Sequence, residues 1–156
     1  MTTPKAPTLD QLIRDADAAV KQTLDYLAGP GARSAAKIDR WGVRETAAHL
    51  LFWHRATAQS AQAVARGEAP RQFFVPVDAT NEEAVIACAG MSLADIVAQL
   101  RTAHQELVQA IRKLPNPDAP LMRRFDGTAP TAKDRLRTIA HHWAGHLKEL
   151  QAAAGQ

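Results

Sequence analysis

Apolar side chains recur at helical spacing in four stretches of the chain. Leu9, Ile13, Ala16, Val20, Leu24 and Leu27 share one face of a helix, because residues three or four apart lie about one turn from each other. Thr8 and Gln11 form a capping pattern at its start, and Gly29-Pro30-Gly31 stops it. A second helix is predicted from Val43, just after Trp41-Gly42, to about Arg66, closed by Gly67 and Pro70. A third opens with Ser92 and Asp95 as a capping pair. It carries the stripe Leu93, Ile96, Val97, Leu100, Leu107, Ile111 and Leu114, and Pro115 and Pro117 end it. The fourth starts at Thr131 with Asp134 and ends near Ala154, before Gly155.

Between the second and third helices, residues 67–91 contain Pro70 and Pro76 and read as an irregular crossover, with NEEAVIACA (81–89) as a short helix before Gly90. The segment from Pro115 to Pro130 holds turn residues and an RRFDG element. No stretch alternates in the manner of a strand. The expected fold class is therefore all-α, a four-helix bundle, in which side chains from different helices meet around a ligand. A chain of 156 residues suits one domain, 1–156, with residues 1–7 as a flexible leader, and needs neither disulfide nor structural metal to enclose a core.

Composition narrows the function classes. Nineteen Lys and Arg against sixteen Asp and Glu give a net charge of +3, but the charges are interspersed, without the basic stripe or interleaved aromatics of a nucleic-acid reader. Cys88 is the only cysteine, which excludes an internal disulfide and a thiolate metal site. Any metal must take nitrogen and oxygen ligands. The N-terminal stretch lacks an apolar leader, and no run approaches the roughly 18 apolar residues of a membrane span. The expectation is a cytoplasmic protein that binds neither membrane nor nucleic acid.

The candidate chemistry lies in six histidines, at 49, 54, 104, 141, 142 and 146. His142 and His146 are about 40° apart on the helical wheel, at the margin of the apolar arc, so both rings can reach one ion. His141 falls about 100° away and is left out. On the second helix His49 also occupies a margin, with His54 as a competing ligand from the opposite edge of the arc. Two histidines one turn apart and a third from a facing helix suit Zn²⁺ or Ni²⁺ and leave a position open for water or substrate.

Other residues carry bland readings beside sharper ones. His104 lies between Val97 and Ile111 at heptad spacing, as a hydrogen-bonded core histidine or a proton carrier behind the ligands. Glu45, one turn before His49, is either an acceptor behind that ring or a carboxylate that complements the helix dipole. Trp41, Trp53 and Trp143 belong to the core or to a pocket wall. Cys88 has no basic neighbour in sequence to activate it.

The segment WGVRETAAHLLFWH (41–54) followed by HHWAGHLKEL (141–150) resembles the DinB/YfiT-like superfamily, a group related to mycothiol-dependent maleylpyruvate isomerase-like and ClbS-like proteins. The resemblance covers most of the chain, including the long crossover between helices 2 and 3 and the DATNEEAV segment (78–85). It implies a DinB/YfiT-like four-helix bundle and prefers His49 to His54. It also implies a three-histidine site of His49, His142 and His146 holding Zn²⁺ or Ni²⁺, and a homodimer.

Fold analogy does not select a reaction. The reading that follows is a divalent-metal-dependent enzyme acting on a small electrophilic molecule by thiol transfer or hydrolysis, with a low-molecular-weight thiol as a possible cosubstrate. The alternative is a noncatalytic, stress-associated bundle that binds or sequesters a small molecule. His104 and Glu45 are the candidate residues behind the ligands.

Overall fold

The computed structural model describes residues 2–155; Met1 and Gln156, the two ends of the expected domain, lie outside the described residues. Within the expected leader, residues 2–7 have no regular structure and are exposed. The chain is predominantly helical: α1 (Leu9–Ala28), α2 (Val43–Ala65), α3 (Val77–Ala87), α4 (Leu93–Arg112) and α5 (Ala132–Ala154). Local chemistry sets their ends. Thr8 and Gln11 form a capping box on α1, Thr131 and Asp134 another on α5, and the Ser92 hydroxyl accepts from the Asp95 amide at the start of α4. Each satisfies helix-end amides that would otherwise lack a partner.

Two expectations change. The short helix in the crossover begins at Val77, four residues before the predicted start, because Pro76 caps it instead of interrupting it. The Pro76 carbonyl accepts from both the amide and the hydroxyl of Thr80, and proline at a helix start loses nothing by lacking an amide proton. The connections also hold four two-residue strands that the pattern did not predict. β1 (Lys37–Ile38) and β2 (Trp41–Gly42) make a tight antiparallel hairpin. Asp39 in its turn adopts φ 55°, a left-handed conformation that Asp tolerates better than most residues. β3 (Arg71–Gln72) pairs in parallel with β4 (Met122–Arg123) and so joins the crossover to the α4–α5 connection.

The long helices pack chiefly as two pairs, α2 on α4 and α1 on α5, joined by contacts of α1 with α4. Ile13, Leu27, Leu51, Ile96, Leu100, Leu107, Ile111, Leu136, Ile139 and Leu150 are fully buried among them, each contributing about 1.5–3 kcal/mol by leaving water. A smaller cluster of Ala56, Phe73 and Met122, with Phe52 and Trp53 against it, lies beneath the β3–β4 pair. A two-residue parallel pair has little stability alone; Phe73, whose amide also donates to the Arg123 carbonyl at 2.8 Å, holds it to the body. Among the described residues no helix is long and apolar enough to cross a membrane.

Since α5 carries two of the three candidate ligands, its start matters to the site. Thr131→Ala is expected to lower stability by about 1 kcal/mol, and Thr131→Ser by much less. Urea unfolding of both variants checks this; equal loss in the two would show that the hydroxyl contributes nothing.

Candidate metal centre

His49 lies on α2, and His142 and His146 on α5, and their three rings converge. Ring centroids are 5.4 Å apart for His49–His142, 5.6 Å for His49–His146 and 4.3 Å for His142–His146. One nitrogen of each lies within 4.8 Å of the others. Nε2 of His142 and Nε2 of His146 are 2.8 Å apart, so one of them carries the proton between them. A cation in place of that proton would satisfy both lone pairs. Bonds of about 2.0–2.1 Å to a tetrahedral ion hold ligand nitrogens about 3.3 Å apart, a spacing reached here by small ring movements. His146 Nδ1 is buried without a partner, so the protein alone satisfies neither tautomer of that ring.

The third ring is better fixed. The Trp53 indole N–H donates to Asn81 Oδ1 at 2.6 Å, and His49 Nδ1 meets the same oxygen at 3.0 Å. An oxygen already accepting from an indole can only accept from the imidazole as well, so His49 carries its proton on Nδ1. Its Nε2 lone pair is then free, the form a metal-ligating imidazole takes when an oxygen holds its other nitrogen. Asn81 comes from α3 and was not singled out in the sequence. Glu45 does not have this role. It lies in the first turn of α2 beside Arg44, at 3.4 Å.

Desolvation keeps these rings neutral. Burial, then the charge of His146, lowers His49 to about 4, against the hydrogen bond it donates to Asn81. His142 is also lowered to about 4, by desolvation and then by His146 and His49. His142 is exposed overall, although its Nε2 lies against His146. Burial lowers His146 as well, with Glu149 opposing. Neutral imidazole is the form that binds a metal.

The rings line a cavity of about 550 Å³, walled in part by Trp41, Trp53 and Trp143. Trp143 is buried in the core, while Trp41 and Trp53 are half-buried. The β1–β2 hairpin places Trp41 5.6 Å from the His49 ring. His141 is exposed at the cavity margin and does not join the cluster.

His54 lies on the cavity wall but away from the three rings, fully buried and packed 4.9 Å from Trp143. Its Nε2 is 2.9 Å from His104 Nδ1, and His104 Nε2 is 2.6 Å from Asp17 Oδ1 on α1. The carboxylate requires a proton on His104 Nε2. In a neutral ring Nδ1 then accepts, so His54 donates from Nε2 and keeps a lone pair on Nδ1. His104 thus reaches the cavity only through His54.

A helical chain whose second and last long helices bring three neutral imidazoles together suits a divalent-metal-binding protein. Residues 32–150 match the DinB superfamily, and the chain belongs to that superfamily. No curated protein and no solved structure matches it significantly. Superfamily membership and the histidine cluster together suggest metal binding.

The lowered pKa values set a sign for stability. Below about 6.5 the unfolded chain takes up protons that native His49 and His54 refuse, so stability is fully present above that pH and is lost as pH falls toward the folded values. Each of these two buried rings contributes on the order of 1 kcal/mol of loss per pH unit. With a chelator present, the urea midpoint is expected to be lower at pH 5.5 than at pH 7.5. Equal midpoints would contradict neutral burial.

Proposed function

We propose that His49, His142 and His146 hold one divalent ion, Zn²⁺ or Ni²⁺, and that the protein is a metal-dependent enzyme acting on a small electrophilic molecule by thiol transfer or hydrolysis. The observation that carries this reading is the convergence of three neutral imidazoles on a cavity large enough for a small substrate. The four long helices are read as the DinB/YfiT-like bundle, with the segment between α2 and α4 as its long crossover. Their pairing and the α3 cover over His49 support that reading.

When bound, the ion supplies Lewis acidity that brings the pKa of a coordinated water or thiol toward neutrality. The protein's residues do the rest. Asn81 keeps the His49 proton on Nδ1, and the tryptophans offer an apolar wall that limits water. His54 Nδ1 accepts a proton from the cavity, and its Nε2 passes one to His104 Nδ1; His104 Nε2 delivers to Asp17, half-exposed on α1. A low-molecular-weight thiol is the proposed cosubstrate for transfer, and water for hydrolysis. We also propose the homodimer implied by the resemblance, supported by the exposed Phe74, Ile86 and Phe125. Light scattering that finds only monomer at micromolar concentration would exclude it.

Purified protein is expected to carry about one equivalent of divalent metal by elemental analysis, lost in His49→Ala, His142→Ala and His146→Ala. Asn81→Ala should retain the fold and bind metal about 10–100-fold more weakly. Conjugation and hydrolysis assays with several low-molecular-weight thiols and a panel of electrophiles should show turnover that needs the metal. Histidine variants that bind metal as well as wild type would refute the site. A ligand that raises thermal stability yet emerges unchanged would point to sequestration instead.

A further inference from the structure

Seven residues before His142, and so on the same face of α5, Arg135 is 5% exposed and lines the cavity. Its Nε donates to Thr57 Oγ1 at 3.2 Å, while the Thr57 hydroxyl donates to the Trp53 carbonyl at 2.7 Å. The guanidinium carbon is 6.0 Å from the Trp53 ring centroid. Arg124, from the turn after β4, lines the same cavity, and its Nε is buried without a hydrogen-bond partner. Burial, and then the charge of Arg124, pushes Arg135 down to about 10, so it remains a cation at neutral pH.

Neither guanidinium is paired with a carboxylate among the described residues, and the cavity wall contains no Asp or Glu. A buried cation without a counter-ion is costly, and a second cation beside it adds to the cost. Such a pair is unfavourable to the fold and suited to an anion that enters from solution, because the guanidinium fork matches an oxyanion in geometry and charge.

We infer that Arg135 and Arg124 form a binding site for the oxyanion of a small organic acid whose apolar body lies against Trp53. This deepens the proposed function and rests on it only for the chemistry: the substrate is anionic, held by its charged end on the arginines with its other end toward the three histidines. The net positive cavity draws such a molecule in and disfavours cationic electrophiles. Arg135 and Arg124 are here binding residues for the substrate's charge, and the three histidines remain the reacting end of the site.

The test uses the full chain stripped of metal by chelator, so that it stands or falls apart from the metal reading. Benzoate and its neutral analogue benzamide are titrated by calorimetry and by thermal shift at low salt. Benzoate is expected to bind and to raise the melting temperature, with benzamide at least tenfold weaker. Arg135→Gln and Arg124→Gln are each expected to weaken benzoate at least tenfold and to leave benzamide unchanged, and added chloride to weaken benzoate alone.

Arg124→Met is expected to melt at or above the wild-type temperature without ligand, because it removes a half-buried charge that lies beside the buried Arg135 and that nothing in the chain offsets. A merely structural arginine would lower it. Should Arg135→Gln fail to fold, Arg124→Gln decides alone. Absence of benzoate binding, equal binding of benzoate and benzamide, or benzoate affinity unchanged in Arg124→Gln overturns the assignment. Metal content is measured on the same variants before stripping; absence of metal from all of them, with benzoate binding intact, would remove the metal reading and leave the anion site.

Discussion

The gap between two helix pairs governs this molecule. α2 packs mainly on α4, and α5 mainly on α1, so the faces that α2 and α5 turn toward each other meet across a cavity instead of through a packed seam. Side chains at the edge of each apolar stripe therefore converge without being locked into the core. They lose enough water to stay neutral, yet keep nitrogen lone pairs directed at shared space. Were α2 and α5 packed directly together, His49 would need a hydrogen-bonded partner in the core, and His142 and His146 would be forced apart or outward.

The same gap explains why the polar groups around it are so closely arranged. Buried donors and acceptors are costly unless paired, and most here are paired in a directed sequence. Asn81 Oδ1 takes two donors, from His49 and Trp53, and thereby sets a tautomer. His54, His104 and Asp17 form a row whose protons all point one way. The exceptions are His146 Nδ1 and Arg124 Nε, each buried without a partner, and the Arg135 guanidinium, bonded only at Nε to a hydroxyl. All three face or flank the cavity. Ser60 Oγ is also buried without a partner but does not line the cavity; at the cavity, the unsatisfied atoms are where something from outside is best accommodated.

Much of the framework was legible in the sequence because the four long helices announce themselves twice, by apolar period and by capping residues at Thr8, Ser92 and Thr131. The wheel alone set His142 with His146 and turned His141 outward, and the structure places those rings accordingly. It did not choose between His49 and His54, since both occupy edges of the same stripe; the resemblance made that choice, and the structure puts His49 beside the α5 pair and His54 beside His104. Asn81 was hidden by the crossover, where Pro76 reads as a break when it is a cap, and an asparagine at the start of a short predicted helix signals no site. Arg135 was hidden by its type. At the margin of an amphipathic helix an arginine ordinarily extends to solvent, and only the tertiary enclosure by α2 and the α4–α5 connection denies it water.

The parallel β3–β4 pair ties the crossover to the segment that carries Arg124, and each segment sends only a few side chains into the interior, among them Phe73 and Cys88 from one and Leu121 and Met122 from the other. The protein is thereby divided between positions with little freedom to vary and positions with a great deal. The imidazoles sit on helices whose opposite faces are committed to the core, so drift there is punished by unfolding. Apart from Asn81 and their few buried anchors, the cover and the arginine turn answer chiefly to whatever enters the cavity. A lineage built on this plan can alter what its cavity admits by rewriting two connections around Asn81, while the three imidazoles stay where the helices hold them.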